Sequence, residues 1–182
     1  MAELLEKIPA ETCWEITAKT LWRFLVIRGC KFFAPNLGKG DGIIAPVLGA
    51  EKWKEMVKKL WSDGARKLYP WVKETFNIPV EDAVGASKLY IIAVKLLSGP
   101  EGEFEIVEAT PERVVLRYTK CPIWERYEEL EVDPVLFPCD EVDQISCEEG
   151  FKVVNPKITF KRTKAMPRGD PYCEAVIEFM EE

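Results

Sequence analysis

Residues 98–119, SGPEGEFEIVEATPERVVLRYT, mark the point at which the chain changes its period. Before them, Ala83, Ala86, Tyr90, Ala93, Val94 and Leu97 share one helical face, which predicts a helix over 81–97. Ser98-Gly99-Pro100 ends it, because glycine accepts the backbone of a helix end and proline cannot continue the helix. Beyond that break, Phe104 and Ile106 alternate with Glu103 and Glu105, Ala109 to Glu112 supply a turn, and Val114 to Tyr118 run back as a β-branched strand. The stretch 103–119 therefore reads as a hairpin.

Upstream of this switch the pattern is helical. Trp14, Ala18, Leu21, Trp22 and Leu25 form one apolar stripe within 11–33. A Gly-rich loop follows over 35–46. Met56, Val57, Leu60, Trp61, Ala65, Leu68, Tyr69, Val72 and Phe76 then predict a long helix, kinked or restarted at Pro70. Downstream, 122–131 and 139–149 read as short helices, while 157–164 and 172–180 read as strands flanking the turn Pro167-Arg168-Gly169-Asp170-Pro171. The expected fold class is α+β: N-terminal helices packed on a mostly antiparallel sheet with short helices. No repeat or linker divides the chain, so 1–182 is expected to be a single domain, helical over 1–100 and sheet-bearing over 101–182.

At 182 residues and 47% apolar content, the chain can bury a substantial core unaided. Its net charge of -6 provides no large positive field to gather phosphates, which argues against nucleic acid and anionic membranes as partners. The start, MAELLEKIPAETCW, is acidic where a signal peptide is basic, and no run of about eighteen apolar residues occurs. A cytoplasmic location and a small-molecule partner are the expectations. The single glutamine, Gln144, the scarce asparagines and the abundant Lys and Glu resemble the composition of thermophile proteins. Histidine is absent, which excludes a Ser-His-Asp triad, a Cys-His dyad and an HExxH zinc site. Chemistry must come from Cys, carboxylate, Lys, Tyr or a cofactor.

Six cysteines fall into two groups. Cys13 and Cys30, roughly 25 Å apart along one predicted helix at about 1.5 Å per residue, can share neither a disulfide nor a metal. Cys121, Cys139 and Cys173 stand at the ends of predicted elements, where ligands and nucleophiles are displayed. In a helix over 139–149, Cys139, Asp143 and Cys147 stay within about 80° of one another on one face. The helix dipole there is expected to lower the pKa of Cys139. Four thiolates, or three and a carboxylate, suit tetrahedral zinc and, less readily, an iron-sulfur cluster. No CxxC occurs. Cysteine arithmetic alone leaves apolar packing, disulfides and a functional cluster equally open.

Other motifs carry less. NLGKGDG lacks the GK[ST] of a P-loop and follows no strand. Trp14, Trp22, Trp53, Trp61 and Trp71 can line a pocket, but aromatics at helical spacing usually form core. The run ERYEELE over 125–131 reads as a solvated face.

Three segments resemble the L-2-amino-thiazoline-4-carboxylate hydrolase-like family, and more distantly the hydrocarbon-binding domain of 4-vinyl reductases and related sensors. They are Cys121-Pro122-Ile123-Trp124-Glu125-Arg126-Tyr127, Phe137-Pro138-Cys139-Asp140, and Arg162-Thr163-Lys164 followed by Gly169-Asp170-Pro171-Tyr172-Cys173. In the sensor domains the closing cysteine is a zinc ligand with a Cys and a Glu shortly before it. Those two positions here are Ala165 and Arg162, so any metal would need Cys121, Cys139, Cys147 and Cys173 instead. Two readings follow, the first favoured by the residues, which show no complete catalytic constellation, and the second implied by the resemblance. One is a small-molecule binding domain with a cysteine-based, zinc-binding site. The other is a hydrolase of a small C–N or C–S heterocycle, acting through zinc-activated water or a cysteine nucleophile, with Asp170 or Asp143 as proton carrier and Arg162 holding a substrate carboxylate.

Overall fold

The computed structural model describes residues 49–99, 101–129 and 139–181. The first expected helix, the NLGKGDG loop, Cys13, Cys30, Trp14 and Trp22 lie outside these residues. Helix α1 (Ala50–Thr75) buries Trp53, Val57, Ala65, Tyr69 and Val72 along one stripe. It runs continuously through Pro70 instead of restarting there. Pro70 has no N–H to bond one turn back, so the helix loses a backbone hydrogen bond there. Packing of the flanking Tyr69 and Val72 offsets that loss.

Helix α2 (Ala83–Ser98) starts at Asp82, whose carboxylate accepts the Gly85 N–H at 2.7 Å, and stops at Gly99, which takes a φ of 108°. Strands β1 (Glu103–Ala109) and β2 (Arg113–Lys120) form the expected hairpin. Its turn is held by Thr110, whose hydroxyl accepts the Arg113 N–H at 3.0 Å. Helix α3 (Pro122–Glu129) and helix α4 (Cys139–Val154) follow. The last turn of α4 extends past the expected end because Phe151 is wholly buried and anchors it. Strand β3 (Ile158–Lys164), a 3-10 turn (Met166–Arg168) and strand β4 (Cys173–Phe179) close the described chain.

The four strands lie in the order β1-β2-β4-β3, and each neighbouring pair is antiparallel. Because side chains alternate across a strand, register decides which residues meet. Val114 pairs with Ile177, Leu116 with Ala175 and Tyr118 with Cys173, while Phe160 pairs with Ile177 and Arg162 with Ala175. One face of the sheet is thus aliphatic toward Ile177 and reactive toward Tyr118, Cys173 and Arg162. The buried core fills the aliphatic end, where Leu89, Phe151, Phe160 and Ile177 come together beneath α2 and α4.

Helices α1 and α4 approach closely at Gly150, where an added Cβ would stand 2.7 Å from the Tyr69 ring. Tyr69 and Phe151 meet edge to face with ring centroids 5.1 Å apart. A smaller cluster of Trp53, Val57, Tyr127 and Val142 joins α1, α3 and α4. Tyr127, inside the acidic run, is therefore a core residue, while its neighbours Glu128 and Glu129 are exposed. Among the described residues no helix is long and apolar enough to cross a membrane.

Candidate functional site

A cavity of about 590 Å³ opens between α1, α2, α4 and the reactive end of the sheet. Its walls are apolar: Met56, Leu60, Trp61 and Leu68 from α1, Ala93, Val94 and Leu97 from α2. Of the tryptophans, Trp61 lines the cavity, Trp53 is core and Trp71 is half exposed.

Polar groups gather in one place. Arg162, its side chain only 6% exposed, forms an ion pair with Asp143 and donates to the Tyr90 hydroxyl at 2.7 Å. The other Asp143 oxygen accepts from the Cys147 thiol at 3.7 Å, and the Tyr69 hydroxyl donates to Cys147 Sγ at 3.3 Å. One connected chain therefore runs Tyr69, Cys147, Asp143, Arg162, Tyr90. Burial alone disfavours the Arg162 charge, but Asp143 and Tyr90 outweigh it and hold the guanidinium pKa well above its usual value. Burial raises the Tyr69 and Tyr90 hydroxyls, so both stay protonated, Tyr69 donating to Cys147 and Tyr90 accepting from Arg162.

Secondary structure brings these groups together. Asp143 and Cys147 are one turn apart on α4, as the helical spacing predicted, and Cys139 lines the same cavity one turn earlier. Arg162 reaches inward from β3 because it shares a face with Phe160, over whose ring its guanidinium carbon lies at 5.3 Å. Tyr90 and Tyr69 read in the sequence as members of apolar stripes. Their hydroxyl roles leave no signal at that level, because a tyrosine on a buried face satisfies the same pattern as a phenylalanine.

Cys121, Cys139, Cys147 and Cys173 all border the cavity and are free thiols. Two of them act as local acceptors: Cys121 Sγ takes the Trp124 N–H and Cys173 Sγ the Met166 N–H, each at 3.4 Å. Among the described residues, no three Cys, Asp or Glu side chains converge as a group that could hold a metal ion. The Cys139 thiol is not lowered by its place at the start of α4. Burial, reinforced by Cys121 and Asp143, pushes its thiol well above the ordinary range. Burial likewise pushes Cys121 up to about 11 and raises Cys147 and Cys173, although Arg162 opposes the shift at the last two.

Asp170 stands apart. Its carboxylate accepts the Ala165 N–H at 2.8 Å, bracing the turn before β4, and it is not among the residues that line the cavity. Asp143 and Asp140, the latter paired with Arg168 at 3.0 Å, are the carboxylates that line the cavity, and Asp170 is not.

The family model described as L-2-amino-thiazoline-4-carboxylic acid hydrolase matches residues 44–177, most of the chain. The protein belongs to this family. The match takes in every element from α1 to β3 and most of β4, and with them Asp143, Arg162 and the four cavity cysteines of this L-2-amino-thiazoline-4-carboxylic acid hydrolase family member. No curated protein gives a significant match. Among solved structures, a trafficking protein particle complex subunit 3 from Naegleria fowleri, covalently bound to palmitic acid, is 10% identical. That comparison covers 72% of this chain and 82% of that one, at a TM-score of 0.48. The phenol-responsive sensory domain of the transcription activator PoxR, solved with phenol, is 8% identical. It covers 75% and 69% of the two chains, at a TM-score of 0.46.

Proposed function

We propose that this family member binds a small molecule bearing a carboxylate, with the carboxylate on Arg162 and the rest of the molecule against the apolar walls. One observation carries the reading: a buried guanidinium, oriented by Tyr90 and Asp143, stands in an otherwise apolar cavity. Such a cavity, with a few convergent polar groups, is the usual form of a small-molecule site. A planar guanidinium suits a carboxylate because two parallel N–H donors can meet its two oxygens. An incoming carboxylate would compete with Asp143 for this donor fork.

A second reading, hydrolysis, is favoured by family membership together with the contact between Cys147 and Asp143. In that reading Arg162 holds the carboxylate of a heterocycle, Cys147 or a water gives its proton to Asp143 and attacks the ring carbon, and the C–S bond breaks as the ring sulfur leaves with that proton; a Cys147 adduct is then released by water. The raised thiol means that Cys147 waits protonated, so Asp143 must accept its proton for the sulfur to act. No step requires a metal.

Titration calorimetry with L-2-amino-thiazoline-4-carboxylic acid and with 2-aminothiazoline, its analogue lacking the carboxylate, tests the first reading. Binding of the acid alone, lost in Arg162→Met, is expected. Equal binding of both compounds would overturn it. Appearance of a new free thiol in the same mixture would report C–S opening and establish the hydrolase reading.

A further inference from the structure

The size of the cavity says more about its occupant than its charged pole does. L-2-amino-thiazoline-4-carboxylic acid has about nine non-hydrogen atoms, and at the roughly 30 Å³ share of one water in the liquid it fills about 270 Å³. The cavity offers about 590 Å³. The surplus is bounded by Met56, Leu60, Trp61, Leu68, Val94 and Leu97, none of which offers a charge. Water in such a space would find few partners, whereas hydrocarbon would gain transfer free energy in proportion to the area it buries.

The apolar surface also continues outward. Leu60 on α1 and Leu97 on α2 both line the cavity yet remain 54% and 41% exposed. Gly64, one turn on from Leu60, borders the same space and has nothing within 4 Å of where a Cβ would stand. Polar recognition lies at Arg162, while this side of the cavity is apolar and open.

We infer that the ligand is an amphipathic carboxylate, with its head on Arg162 and a hydrocarbon body of several carbons running between α1 and α2 toward Leu60, Gly64 and Leu97. The inference rests on the carboxylate reading of Arg162 and adds the class of molecule. A bare heterocyclic acid occupies the head position and leaves the hydrocarbon part of the site unused.

Calorimetric titration of the full chain with butanoate, hexanoate, octanoate and decanoate tests it, with octan-1-ol as a headless control. Affinity is expected to rise roughly three- to fourfold for each added methylene and to level off once the apolar space is filled. Gly64→Leu puts a side chain into open space on a helix that gains from losing glycine, so it is expected to fold. It should weaken octanoate more than butanoate and bring the plateau to a shorter chain. Carboxylates that bind with an affinity independent of chain length, or a Gly64→Leu variant that weakens butanoate and octanoate equally, would overturn the hydrocarbon inference while leaving the carboxylate reading intact. Octan-1-ol binding as tightly as octanoate would instead overturn the role of Arg162.

Discussion

The side-chain amide of Gln144 pairs with the β3 backbone on either side of Lys161, accepting the Arg162 N–H at 2.6 Å and donating to the Phe160 carbonyl at 2.7 Å. Strand β3 is an edge of the sheet, so these groups have no neighbouring strand, and the amide substitutes for one. Gln144 also follows Asp143 directly. A single turn of α4 therefore fixes the Arg162 backbone through one residue and its guanidinium through the next.

Replacing Gln144 with leucine should leave the Arg162 N–H and the Phe160 carbonyl without that partner. The expected loss is about 1–3 kcal/mol in urea unfolding, with weaker carboxylate binding because Arg162 is less well placed. Unchanged stability would mean that solvent satisfies both groups.

The Arg162–Asp143 pair should behave as a buried ion pair. Arg162→Met and Asp143→Leu singly are expected to destabilise by about 3–5 kcal/mol, since each strands a charge. The double variant should recover much of that loss, giving a clear non-additive term in a double-mutant cycle measured by urea unfolding. Strict additivity would show that the two charges do not depend on each other.

Alkaline pH should weaken the fold. Unfolded thiols ionise near about pH 8.5, whereas burial pushes Cys121 up to about 11. Above the unfolded value the native chain holds more protons than the unfolded chain, so stability falls as pH rises. The contribution is complete below about pH 8.5 and is lost on the way through the native value of about 11. Cys147, Cys139 and Cys173 act in the same direction. The urea midpoint should decline across this window, less so in Cys121→Ala. Thiolate absorbance appearing near pH 8.5 in a native variant with Cys13 and Cys30 replaced by serine would contradict the account.

Gly150→Ala should drive a methyl into the Tyr69 ring, whose nearest atoms lie 2.7 Å from the added Cβ. Either α1 and α4 part, or the ring moves away from Cys147. A loss of about 1–3 kcal/mol is expected, with a changed near-UV circular dichroism spectrum. A variant as stable as the parent would show that the helices yield at this crossing.

Elemental analysis of protein purified without chelator tests the zinc expectation directly, since among the described residues no three ligands converge. A full equivalent, lost in Cys121→Ser, would require the cysteines to rearrange around a metal.

Much of the fold was open to sequence reading because local periodicity has a direct physical cause. The step from a 3.6-residue to a two-residue repeat at 98–103 separates helix from strand, since each element must bury one face. Asp143 and Cys147 were readable as neighbours for the same reason: positions i and i+4 adjoin on any helix. The expected lowering of the Cys139 thiol failed because a helix end contributes a modest, local field, whereas burial removes the hydration that an anion needs. The sequence shows a helix end but not how deeply it is buried.

By itself the sequence determined the α+β class, the antiparallel hairpin, the absence of imidazole chemistry and the shared face of Asp143 and Cys147. Only the tertiary structure decided that Arg162 meets Asp143 and Tyr90, that Asp170 braces a turn, that Gln144 completes an edge strand, and that an apolar cavity surrounds the polar end. Those relations depend on strand register and helix docking between segments far apart in the chain, and a repeat within one segment carries no information about them.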